Sequence, residues 1–111
     1  MDSILETIAG MIGPAASYEV FYTDLIIHIN AAFSRLCQLG VGPIGKPFKI
    51  TGTSEIWNDF MGEDIPEEVK QYIYLKTRMM FDPPASNVMN AYQAQIDMLE
   101  WTLKEIARYG Y

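Results

Sequence analysis

The chain has 111 residues, of which 50% are hydrophobic. That suits one domain and one core, since domains commonly run from roughly 50 to 250 residues. Lys and Arg total 8 against 14 Asp and Glu, for a formal charge of -6 with no basic run, which argues against a general DNA-coating surface and leaves only a local basic patch assembled in three dimensions. Cys37 is the single cysteine, so an intrachain disulfide and a cysteine-rich zinc site are excluded and a reducing, intracellular origin is expected.

In chain order, Ile4, Leu5, Ile8 and Met11 or Ile12 recur at spacings of three and four, predicting a short amphipathic helix over Asp2 to Ile12 that Gly13-Pro14 closes. A second helix is expected from about Tyr18 or Tyr22 to Leu39. Its apolar face is Tyr22, Leu25, Ile26, Ile29, Ala32, Phe33 and Leu36, and Gly40 stops it. Ile27 falls on the opposite side of that helix, as either a scattered surface residue or a second contact.

From about Gly40 to Thr53 the helical period is lost among glycines and prolines. A long loop is expected, with Phe48 and Ile50 alternating around Lys49 as a candidate short strand. It is either a flexible excursion or a functional loop that reaches a neighbouring subunit. Thr53 or Ser54 is a candidate cap for a brief turn that sets Trp57 and Phe60 on one side and pins the loop to the core.

Gly62 ends that turn. Asp64 and Glu67 resemble a capping box around Pro66, predicting a third helix to about Phe81. Its stripe of Val69, Tyr72, Leu75 and Met79, widened by Ile73 and Met80, marks it as the central helix, and Lys76 near the stripe reads as a snorkelling side chain. Asp82-Pro83-Pro84 stops it. Ser86 is the expected cap of a last helix, about residues 86 to 108, whose Val88, Tyr92, Gln95, Ile96, Leu99, Leu103 and Ile106 predict a long seam with the other helices. Trp101 points almost opposite Leu99. The fold class is therefore mainly α: a small four-helix bundle-like or orthogonal domain with a long central loop.

No stretch approaches the roughly 18 to 20 apolar residues of a membrane span, and MDSILETIAG lacks the basic-then-apolar order of a secretion signal. Neither membrane insertion nor secretion is expected. A nucleophile with a base and an orienting acid is not available from one histidine; His28 sits at the edge of the second helix's apolar face, with Asp24 one turn earlier, as an ordinary helix pair. Cys37 near that helix's C-terminus reads as a small hydrophobe. The glycines from Gly40 to Gly45 lack the Gly-Lys-Ser or Gly-Lys-Thr of a phosphate loop, since Lys46 leads into Pro47. Asp59, Glu63, Asp64, Glu67 and Glu68 lack the ligand pattern of a calcium loop and read as a solvated helix start. No enzyme activity, metal or cofactor is expected.

Three segments are more specific: TDLIIHINAAFSRLCQLGVGP (residues 23–43), EVKQYIYLKTRMMFDPP (68–84) and QIDMLEWTLKE (95–105). In this order they resemble the head-to-tail connector (adaptor, head-completion) proteins of tailed bacteriophages, particularly those of Gram-positive hosts. The resemblance runs from Met1 to about Glu105, with QLGVGP and the YIYLK-to-DPP span as its most distinctive pieces.

It implies a helical virion protein, made in the host cytoplasm and placed at the head–tail junction. There it would form a ring below the portal protein, expected to be a dodecamer, extend the DNA channel, and offer a platform for a stopper or tail-completion protein. The resemblance places the C-terminal part at the portal and the central loop toward the channel or the next ring. Packaged DNA would pass without sequence-specific binding, for which an acidic wall is suited because it does not hold phosphates. No membrane partner is implied.

A small chain rich in apolar surface hides the excess against neighbours, so the candidate interface residues are those off the core faces: Ile27, Ile44, Phe48 and Trp101, with Lys104 and Arg108 near the end of the last helix. The rival function is a small helical regulatory or protein-binding module, antitoxin-like, that grips a partner helix in an apolar groove.

Overall fold

The computed structural model describes residues 3–43, 45–62 and 65–109. Helix α1 (Ile4–Ile12) begins where the Glu6 N–H donates to Ser3 Oγ at 3.2 Å, which satisfies one of the amides that a helix start leaves unpaired. It ends at Gly13, whose φ of 136° suits glycine. Two 3-10 turns, Pro14–Ser17 and Glu19–Phe21, lead into α2 (Tyr22–Gln38). The second of these turns is why α2 starts at the later of the two expected positions.

The end of α2 explains the QLGVGP segment physically. The Gly40 N–H donates to the Cys37 carbonyl at 3.1 Å and the Val41 N–H to the Leu36 carbonyl at 2.9 Å, with Gly40 at φ 87°. This is the paired cap that lets a left-handed residue close a helix, and buried Val41 and Leu36 add the usual apolar contact. Gly42 follows at φ 99°, lying so close to the Phe60 ring that a β-carbon would meet Cε1 at 2.4 Å.

The loop after α2 forms no strand among the described residues, contrary to the expectation for Phe48–Ile50. Its partner is a side chain instead: Asn30 accepts the Ile50 N–H at 2.8 Å and donates to the Ile50 carbonyl at 3.0 Å. Helix α2 thus satisfies an extended segment as a neighbouring strand would. Glu55 closes the following bend by accepting from the Thr51 hydroxyl (2.7 Å) and the Thr51 and Gly52 amides. Among the described residues, one bridge of β type joins Ser3 to Ile56.

Helix α3 (Trp57–Met61) is the expected brief turn, and Trp57 and Phe60 are buried. Its start is set by Asp59, which accepts the Ile56 N–H at 3.0 Å, rather than by Thr53 or Ser54, which lie too far upstream to reach the first turn. Helix α4 (Glu67–Phe81) has Pro66 at its N-cap; the Asp64 half of the expected capping box lies outside the described residues. Helix α5 (Ser86–Tyr109) already includes Ser86, because the Met89 N–H donates to the Ala85 carbonyl. Ser86 is therefore the first helical residue and not the cap.

Helix α4 packs against α1, α2 and α5 and is central, as its broad apolar surface predicts. Phe21, just before α2, meets Phe81 at the end of α4 edge to face at 5.4 Å, so the two helices run antiparallel. Helix α5 turns back along α4, and Ala107 comes against Gly40 at the far end of α2. One cluster joins Ile4, Leu5 and Ile8 of α1, Phe33 of α2, Tyr72 of α4 and Leu103 of α5.

Two expectations about packing need correction. Met80 was placed in the α4 stripe but is 67% exposed, because the last turn of α4 opens onto a surface cleft. The seam of α5 is thinner than its spacing suggests: Ile96 and Leu103 are its buried residues, whereas Val88 and Gln95 are exposed, since α5 packs mainly along α4 and meets α2 at Arg35 and near Gly40. No helix among the described residues is long and apolar enough to cross a membrane.

Candidate interaction surfaces

What positions α5 is a polar junction as much as its apolar seam. Glu100 accepts from Arg35 of α2, with Nη2 at 2.9 Å and Nε at 3.3 Å, and from the Tyr72 hydroxyl of α4 at 2.6 Å. Arg35 also donates to Gln38 at 2.9 Å. The Tyr72 side chain is fully buried, and burial together with the Glu100 carboxylate pushes its hydroxyl far above the ordinary tyrosine range. Partial burial pushes the Glu100 carboxyl up. The hydrogen bonds from Arg35 and Tyr72, with the charges of Arg35 and Lys76, outweigh this and hold it below its ordinary value.

Each residue of this junction comes from a different one of the three segments that carry the resemblance: Arg35, Tyr72 and Glu100. Periodicity marks Tyr72 as part of the α4 stripe but does not reveal Arg35 or Glu100, which are charged positions at the margins of their helices' apolar faces. Beside them, Arg78 donates to the hydroxyls of Tyr74 at 3.0 Å and Tyr92 at 3.3 Å, a second tie between α4 and α5.

With its inner face held in this way, α5 turns a second apolar face outward. Ala94, Met98 and Trp101 recur at spacings of four and three and, with Asp97, line a shallow surface depression; Met98 is 64% and Trp101 63% exposed. Met98 was missed from the sequence, although its spacing from Trp101 was the available signal. Lys104 and Arg108 are exposed near the end of the same helix and, with Leu39 and Gly40, border another depression.

The remaining candidates separate. Ile27 is exposed on the outer side of α2. Phe48 is half-buried and packs on Phe33 and Phe60, with ring centres 5.1 and 5.4 Å away, so most of its ring serves the chain's own core. Its rim, with Pro43, Lys46, Pro47 and Lys49, lines a depression on the loop. Ile44 lies outside the described residues.

A further cleft, not foreseen, opens between the start of α2 and the end of α4. Phe21, Asp24, His28, Met80, Phe81 and Asp82 line it. His28 is half-buried at this margin, on the same side of α2 as Asp24. Cys37 is half-buried near the end of the helix.

A family model described as phage connector protein matches residues 4–110. Neither the curated proteins nor the solved structures return a match. The matched span takes in every helix described above, including the three segments that meet at Glu100. The chain belongs to the phage connector protein family, a family of structural virion proteins whose place is the junction of head and tail.

Proposed function

We propose that the chain is the adaptor that forms a ring below the portal, extends the DNA channel and carries the stopper or tail-completion protein. The ring we expect is a dodecamer, with the outer face of α5 as its docking surface for the portal. One observation supports this beyond family membership: α5 exposes Met98 and Trp101 on one side while Ile96 and Leu103 are buried on the other. Exposed aromatic and methionine side chains on a rigid helix are the usual anchors of an interface. The formal charge of -6 suits a conduit that lets DNA pass without holding it.

The test compares two substitutions in α5. Trp101→Ala is expected to leave the thermal midpoint of the isolated chain almost unchanged, since exposed positions away from special features shift stability by about 0.5 kcal/mol or less, while sharply reducing incorporation into phage particles. Leu103→Ala, at a buried position, should cost about 2–5 kcal/mol of stability. Equal loss of stability in both variants would place Trp101 in the core. Normal incorporation of Trp101→Ala would remove α5 from the docking surface, and a particle map without ring density under the portal would overturn the adaptor reading itself.

A further inference from the structure

The cleft between α2 and α4 and the loop after α2 carry opposite charges, yet they face different ways. The floor of the cleft is the edge-to-face pair Phe21 and Phe81, its wall is Met80, and its rim carries the carboxylates of Asp24 and Asp82. Both aspartates are exposed, as is Glu19 on the preceding turn, and none of the three makes an ion pair among the described residues. Arg78, one turn before Asp82, hydrogen-bonds Tyr74, Tyr92 and the Asp82 carbonyl and offsets part of the Asp82 charge, whereas Asp24 has no ion pair among the described residues. The site therefore offers apolar walls and net negative charge, a setting for the stem and head of a lysine or arginine.

The loop offers the matching group. Lys46 and Lys49 are exposed and make no ion pair among the described residues, and they flank Pro47 and the rim of Phe48. Their backbone is held from below by the Asn30–Ile50 hydrogen bonds and by the packing of Phe48 on Phe33 and Phe60. Proline and these anchors reduce the ordering cost of presenting two cations to a partner.

The loop cannot serve the cleft of its own chain. At 100° per residue, Asn30, which holds the loop, lies roughly 120–160° around α2 from Asp24 and His28, which line the cleft. Two complementary surfaces on different flanks of one helix specify a head-to-tail contact between copies, and such a contact closes into a ring when each copy is rotated relative to the last.

We propose that the loop carrying Lys46 and Lys49 of one copy docks on the Phe21–Met80–Phe81 cleft of the next, with the lysine ammonium groups at Asp24 and Asp82. This rests on the adaptor reading for its biological setting, but its chemistry is that of two surfaces on this chain. The contact is heterologous, so each copy gives a loop to one neighbour and receives a loop from the other.

The test uses sedimentation equilibrium of the full chain at low salt with two variants, Lys46→Glu/Lys49→Glu and Asp24→Lys/Asp82→Lys, each checked for an unchanged thermal midpoint. In the first variant, acidic loops face acidic clefts; in the second, basic loops face basic clefts. Each alone should self-associate at least about tenfold more weakly than the wild type, the scale of effect expected when facing charges are made alike. An equimolar mixture should recover association to within about threefold, because every loop then finds a cleft of opposite sign. Added salt should weaken the wild type and the mixture alike.

The proposal is overturned if either variant associates as the wild type does, if the mixture does not recover, or if the wild type is monomeric at all concentrations. Variants that associate normally but fail to enter particles would assign the cleft to a different virion protein, which also overturns it. Complementation of a connector-deficient phage by the wild-type chain is the separate measure of the adaptor reading, so the two fail independently.

Discussion

Gly42 is required for two reasons that substitution can separate. Its φ of 99° lies in the region that side chains avoid, and a β-carbon there would meet the Phe60 ring at 2.4 Å, whereas Gly45 has a similar φ of 103° and a β-carbon there would meet nothing within 4 Å among the described residues. Gly45→Ala should therefore show the backbone cost alone, about 1–2 kcal/mol. Gly42→Ala should exceed it, and denaturant midpoints of the two variants measure the difference. Thr77 makes the opposite case. It is fully buried, and its hydroxyl finds no hydrogen-bond partner among the described residues. Thr77→Val keeps the shape and removes the unpaired group, so it should raise stability by about 1 kcal/mol; a drop of that size in the midpoint would show that the hydroxyl is satisfied in solution.

At the scale of elements, the loop between α2 and α3 is the part whose order depends least on helical packing. Ile50 is buried and both its backbone polar groups are taken by Asn30. Asn30→Ala leaves a buried donor and acceptor unpaired, which costs about 1–3 kcal/mol for each group that water cannot reach. Hydrogen exchange should show the Ile50 amide losing protection while amides in the middle of α4 keep theirs; unchanged protection at Ile50 would show that the side-chain bonds do not hold the loop. The same contact explains what could be read from sequence. Helices α1, α2, α4 and α5 were legible because their apolar residues recur at helical spacing, and their ends were legible where glycine or proline breaks that recurrence. Asn30 and Ile50 are twenty positions apart and share no period, so an extended segment served by a helix side chain was read as a candidate strand. Trp101 and Ile27 could be identified as off-face residues, whereas the cleft at Met80 could not, because it depends on where α4 outruns its neighbours.

For the whole molecule, the decisive feature is that α5 is joined to the rest by a narrow apolar seam and a shared carboxylate. Glu100 links α2, α4 and α5 through Arg35 and Tyr72, so its ionisation bears on how the three helices hold together. The Glu100 carboxyl titrates below its ordinary value of 4.5 in the folded chain, where hydrogen bonds and positive charge outweigh partial burial. A carboxyl with a lower pKa folded than unfolded binds its proton more weakly in the folded state. Its contribution is complete above the unfolded value and is lost as pH falls through the folded one. Glu55 is shifted in the same direction: partial burial pushes it up, but hydrogen bonds from Thr51 and Gly52 outweigh this. The wild-type acid limb therefore contains more than one group, and the comparison that isolates Glu100 is with Glu100→Gln. That variant should have a lower thermal midpoint at neutral pH and a shallower decline below about pH 4.5, so the two curves converge in acid as the wild-type carboxylate is neutralised. Tyr72→Phe, which leaves the Glu100–Arg35 pair and removes one buried hydrogen bond, should cost about 1–2 kcal/mol at neutral pH and leave most of the wild-type pH dependence in place. Parallel acid limbs in the wild type and Glu100→Gln would mean that the carboxylate is not what fastens α5, and that the seam of Ile96 and Leu103 with the Arg78–Tyr92 hydrogen bond holds the helix.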